Sequence, residues 1–182
     1  MSRELIAEPW RSFLTDIDSA SQETLVLHCI GGFAVTLYYG LWRATGDLDV
    51  VEVAANTARW LDATAGRNSA LHRKYRLYVQ IVTVATLPHS YGDRLTEMFP
   101  GAFRRLRLLV LDPYDLALSK LSRNLEVDLE DVKHLAKACK LDLNLLKSRY
   151  LTELRPCLTG PMERHDQTLD LWLEAIREDS GY

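Results

Sequence analysis

The sequence predicts an α/β (α+β) fold: a small mixed sheet flanked by helices, followed by a C-terminal helical bundle. Three observations predict it. Short β-branched and aromatic runs alternate with helical patterns up to residue 111. From Pro113 onward every periodic segment is helical. A pair of glycines, Gly31 and Gly32, joins an apolar strand pattern directly to a helical one. The expected organisation is an α/β core over 1–111 with a helical region over 112–182 packed on it as one compact unit.

The elements follow in order. Residues 3–19 read as a helix, with Leu5, Trp10, Phe13, Leu14 and Ile17 on one stripe. Residues 24–30 are a short apolar run, expected as a strand buried on both faces. Gly31 opens a helix that runs to about Tyr39 and closes at Gly40. Residues 48–53 are the next strand, and 55–65 a helix stopped by Gly66. One helical turn is expected over 69–74, and a strand over 77–84. Residues 88–100 read as a loop with a helical turn. Residues 103–111 are a strand with Arg105 and Arg107 on one face and Leu106, Leu108 and Val110 on the other. Helices are expected over 113–123, 128–140, 142–155 and 162–178. Pro113 suits a first helical turn with Asp112 as its cap.

Composition narrows the class. A chain of 182 residues with 47% hydrophobic residues can bury a proper core. A net charge of −3 and a pI near 6.0 argue against a protein that coats nucleic acid generally. The N-terminal residues carry acids and no apolar signal core, and no apolar run has transmembrane length. Cys29, Cys139 and Cys157 are odd in number, widely spaced and without zinc-ligand spacing. The expectation is a cytoplasmic protein without membrane partners.

The chemistry-bearing residues concentrate between 31 and 49. In a strand over 48–53 entered from Thr45-Gly46-Asp47-Leu48-Asp49, Asp47 and Asp49 point the same way. Paired carboxylates near a glycine turn suit a divalent metal, Mg²⁺ or Mn²⁺, and a nucleoside triphosphate. Gly31 and Gly32 allow backbone N–H groups to approach phosphate oxygens. Arg43 supplies a phosphate-matching fork and Thr45 a hydroxyl. The plainer alternatives are a tight strand-to-helix turn and solvated loop residues. The aromatics Tyr38, Tyr39 and Trp42 suit either base stacking or the core. Two basic clusters, His72-Arg73-Lys74 with Arg76 and Arg104-Arg105 with Arg107, suit an RNA end or an ordinary charged surface.

The order of the glycine pair, a helix and a D-x-D strand resembles the nucleotidyltransferase superfamily. Within it the chain is similar to the bacterial AbiEii-toxin-like, DUF6036-type group. Leu111-Asp112-Pro113-Tyr114-Asp115-Leu116-Ala117-Leu118-Ser119-Lys120-Leu121 resembles that group's third motif. Asp128-Leu129-Glu130-Asp131-Val132 resembles its fourth. The resemblance implies a nucleotidyltransferase-type sheet and NMP transfer from an NTP to an RNA (tRNA) or protein acceptor. It also implies a toxin–antitoxin setting with a cognate antitoxin or toxin as partner. It makes Asp47, Asp49, Lys120 and Asp131 catalytic, with Lys120 also on phosphate. Asp128 reads equally as a helix cap. Polymerase-type relatives carry a third carboxylate on a later strand. Here the strand from Leu77 to Val84 has no acid, only Gln80. That departure keeps a second expectation open: a catalytically degenerate nucleotide-binding module or antitoxin-type partner.

Overall fold

The computed structural model describes residues 6–180. The chain divides into two units whose segments interleave. The first holds residues up to Tyr38, Trp42–Thr83 and Leu95–Val110. The second holds Tyr39–Leu41, Val84–Arg94 and the chain from Leu111 onward.

The first unit is a five-stranded mixed sheet with four helices. In chain order these are α1 (Trp10–Ala20), β1 (Leu25–Ile30), α2 (Gly31–Leu37), β2 (Asp47–Val51), α3 (Ala55–Ala65), α4 (Ala70–Tyr75), β3 (Tyr78–Ile81), β4 (Thr96–Met98) and β5 (Leu106–Val110). The strand order is β3-β2-β1-β5-β4. β1 runs antiparallel to β2 and parallel to β5, β2 is parallel to β3, and β4 is antiparallel to β5.

α1 presents Trp10, Phe13, Leu14 and Ile17 to the core, as its stripe requires. Trp10 meets Phe33 of α2 edge-on at 4.7 Å. The helix starts at Trp10; Leu5 and the other residues before Ile6 lie outside the described ones. Asp18 of α1 anchors the start of β5 by accepting from the backbone N–H groups of Arg104 (3.1 Å), Arg105 (2.6 Å) and Leu106 (2.7 Å). Three expectations change in this unit. β1 is not buried on both faces: Leu25, Leu27 and Cys29 are buried while Val26 is 48% exposed. The alternation shows one covered face along most of a central strand. Residues 96–98, expected as loop, form an edge strand, and β3 is only four residues long.

The second unit is helical: α5 (Pro113–Leu121), α6 (Glu126–Cys139), α7 (Leu143–Arg149) and α8 (Met162–Ser180). Asp112 caps α5, accepting from the N–H of Asp115 at 2.8 Å. α7 continues into a wider-wound turn over Tyr150–Leu154 and a tight turn containing Pro156, whose missing N–H ends the helical run. Leu116, Leu121, Val132, Leu135, Tyr150, Leu154 and Trp172 build its core. Asp128 is not the N-cap residue of α6. α6 begins at Glu126, so Asp128 stands at its third position and accepts from the N–H of Leu125 at 3.1 Å. Arg94 forks onto Asp115 with two bonds of 2.8 Å and reaches Glu153 at 2.7 Å, while Arg149 holds Asp112 at 2.6 Å.

Candidate functional site

The end of β1 and the start of β2 set the site of the first unit. In the antiparallel register Ile30 faces Asp49, so the chain turns into α2 directly beside the Asp49 carboxylate. Gly31 takes a φ of +69°, a left-handed conformation that glycine adopts without strain. A Cβ there would overlap the Asp49 carboxylate. Glycine is required at 31 by both the turn and the acid.

Gly32 has a different neighbourhood. A Cβ on it would lie 3.3 Å from a guanidinium nitrogen of Arg43 and 3.3 Å from the hydroxyl of Thr45. Both side chains therefore converge on the backbone at the start of α2. Along β2, Leu48 and Val50 are buried while Asp47 and Asp49 are half-buried, so the two acids share the opposite face. Thr45 Oγ1 lies 3.3 Å from Asp47 Oδ1. The first unit thus brings together Gly31, Gly32, Arg43, Thr45, Asp47 and Asp49.

Sequence reasoning missed one participant. β3 pairs with β2 so that Tyr78 stands beside Asp47. The Tyr78 hydroxyl contacts Asp47 Oδ2 at 3.3 Å and accepts a hydrogen bond from Arg67. Burial, followed by the Asp47 charge, pushes the Tyr78 phenol above its ordinary value. No local pattern signals this pair, because strand register creates it.

A Mg²⁺-type cation takes one or two protein carboxylates and fills its remaining positions with phosphate oxygens and water. Asp47 and Asp49 on one face, beside a glycine turn and an arginine, fit that donor set. Among the described residues, no group of three or more His, Cys, Asp or Glu side chains is placed to hold a metal. The neighbour of Asp49 on β3 is Gln80.

The other candidates belong to the second unit. Lys120 is 3% exposed, with its ammonium 2.7 Å from Asp131 and 3.4 Å from Asp128. Asp128 also accepts from Arg123. Burial alone would raise the Asp128 carboxyl. The Arg123 bonds, the Leu125 N–H and the nearby charges outweigh it and hold the group below its usual range. Lys120 is therefore the centre of a buried ion cluster.

Several basic and aromatic residues are engaged within their own units. Lys74 pairs with Asp16 at 2.9 Å, Arg107 with Glu97 at 2.6 Å, and Arg105 donates to the Ser21 carbonyl at 2.8 Å. Tyr39 donates to the Leu111 carbonyl at 2.7 Å. Trp42 is wholly exposed. Among the described residues no helix is long and apolar enough to cross a membrane.

The model of a family described as a nucleotidyltransferase of unknown function (DUF6036) matches residues 11–178. No curated protein and no solved structure matches the chain.

Proposed function

The chain belongs to this DUF6036 family of nucleotidyltransferases, and from that premise we propose that it transfers an NMP from an NTP to an RNA or protein acceptor with a divalent metal, Mg²⁺ or Mn²⁺. The single observation that carries the reading is the Gly31–Asp49 contact. It puts a carboxylate against the turn that opens α2, on the same strand face as Asp47.

In this reading Asp47 and Asp49 hold the metal. A metal held by these two carboxylates would supply positive charge against the triphosphate as pyrophosphate leaves. The N–H groups at the start of α2 and the Arg43 guanidinium bind phosphate oxygens, while the Thr45 hydroxyl stands against Asp47 Oδ1. On the resemblance alone, Lys120 would direct its charge to phosphate and Asp131 would orient or activate the acceptor. A toxin or antitoxin role, with its cognate partner, stays part of the proposal on the resemblance alone. The deciding experiment incubates the protein with each α-labelled NTP, Mg²⁺ and RNA or protein from a bacterial lysate. Label should enter an acceptor with wild type and not with Asp47→Asn, which keeps the shape and removes the charge.

One observation favours a second reading. Gln80, a carboxamide, stands beside Asp49 on β3. A degenerate module would bind NTP and transfer nothing. Saturable NTP binding without label transfer to any acceptor would select it over the enzyme.

A further inference from the structure

We propose that Tyr78 and Arg67 are positioning residues that fix the orientation of the Asp47 carboxylate for metal binding. The inference rests on the reading of Asp47 as a metal ligand and extends it to two side chains outside the glycine and aspartate motifs.

The geometry is a bracket. Thr45 Oγ1 stands 3.3 Å from one carboxylate oxygen of Asp47, and the Tyr78 hydroxyl 3.3 Å from the other. Rotation of the carboxylate breaks both contacts at once, so the pair selects one orientation. Each oxygen keeps a lone pair for a cation, because a carboxylate offers about four acceptor positions. Tyr78 is itself fixed from three sides. Its backbone is registered against Asp47 by the parallel β2–β3 ladder. The Arg67 guanidinium stacks over its ring at 4.5 Å and donates to its hydroxyl. The His72 ring meets its edge at 5.2 Å.

The order Arg67, Tyr78, Asp47 has a chemical consequence. An arginine bonded directly to Asp47 would compete with a metal for the same oxygens. With the phenol between them, the cation polarises the hydroxyl and strengthens it as a donor, yet the Asp47 charge stays available. Partners that orient a metal-binding carboxylate commonly matter about tenfold or more for metal affinity.

The test measures Mn²⁺ affinity by calorimetry on the full chain for wild type, Tyr78→Phe, Arg67→Lys, the double variant and Asp47→Asn, with melting curves on each. Arg67→Lys keeps the charge and removes the planar fork. Tyr78→Phe should bind Mn²⁺ about tenfold more weakly. Arg67→Lys should bind less tightly than wild type, and the double variant no more weakly than Tyr78→Phe alone, because Arg67 acts through the hydroxyl. The Mn²⁺ EPR spectrum of Tyr78→Phe should broaden as ligand orientation becomes heterogeneous. Wild-type affinity in Tyr78→Phe, with binding lost in Asp47→Asn, overturns this inference and leaves the metal reading standing. Independent losses that multiply in the double variant overturn the relay. No Mn²⁺ binding by wild type overturns the metal reading and this inference with it. Should Tyr78→Phe fail to fold, Arg67→Lys decides: weaker binding supports the relay and equal binding overturns it.

Discussion

Lys120 and Asp131 form a 2.7 Å ion pair with 3% and 1% of their side chains exposed. A charge withdrawn this far from water depends on its partner. Replacing Lys120 therefore strikes the fold itself. Lys120→Met should destabilise the protein by about 3–5 kcal/mol, because Asp131 keeps a buried charge without its ammonium. Adding Asp131→Leu should restore much of that loss. Chemical denaturation of the single and double variants reads both effects. A Lys120→Met protein as stable as wild type would mean the pair contributes nothing to folding.

Gly31→Ala tests the turn. A side chain at φ +69° costs about 1–2 kcal/mol, and its Cβ also displaces the Asp49 carboxylate. Both stability and Mn²⁺ affinity should fall. Gly40→Ala, also at positive φ but with open space around its Cβ, should lower stability alone. Equal Mn²⁺ affinities for the two variants would separate Gly31 from the metal site.

Asp49→Ala should remove carboxylate-dominated Mn²⁺ binding while the sheet persists, since Asp49 is half-buried and its neighbours Leu48 and Val50 supply the core contacts. Calorimetry with Mn²⁺ checks the first half and circular dichroism the second. Unchanged affinity would take Asp49 out of the metal site.

Asp18 gives a pH signature. Burial would raise its carboxyl, but the N–H groups of Arg105, Leu106 and Arg104 and the Arg105 charge hold it below its ordinary value. A carboxyl depressed in the folded state stabilises fully above its unfolded value of about 3.9 and less as pH falls through the folded value. Asp18→Asn should cost about 2 kcal/mol at neutral pH, the scale of hydrogen bonds to a charged group. The gap from wild type should shrink below about pH 4. Parallel stability curves from pH 7 to pH 2 would contradict the assignment.

The parts legible in the sequence are those written in local pattern. The stripe Trp10, Phe13, Leu14 and Ile17 has helical spacing, and α3 spans Ala55–Ala65 with Gly66 after it, as its composition requires. The parity of Asp47 and Asp49 follows from strand geometry once β2 is recognised. What stayed hidden depends on neighbours distant in the chain. Thr96-Glu97-Met98 is too short and too polar to read as a strand; pairing with Leu108–Val110 makes it one. Tyr78 reaches Asp47 only through the register of β2 and β3. Arg94 looks like a loop arginine until Asp115 and Glu153 close around it. The depth of Lys120 depends on two carboxylates a turn and more away on another helix, and nothing in its own segment records that.

The interleaving of the two units bears on how the gene can be cut. A stop codon after residue 111 removes Asp115 and Glu153 and strands Arg94, which sits between β3 and β4 in the chain. The same truncation strips the Tyr39 carbonyl of its contact with His134. Neither half of the sequence is a self-contained cassette. A fragment beginning at residue 1 inherits two orphan segments, and one beginning at residue 112 lacks the pieces that complete its own fold. Recombination, split-protein design and fragment expression should keep the interleaved segments of both units on one chain.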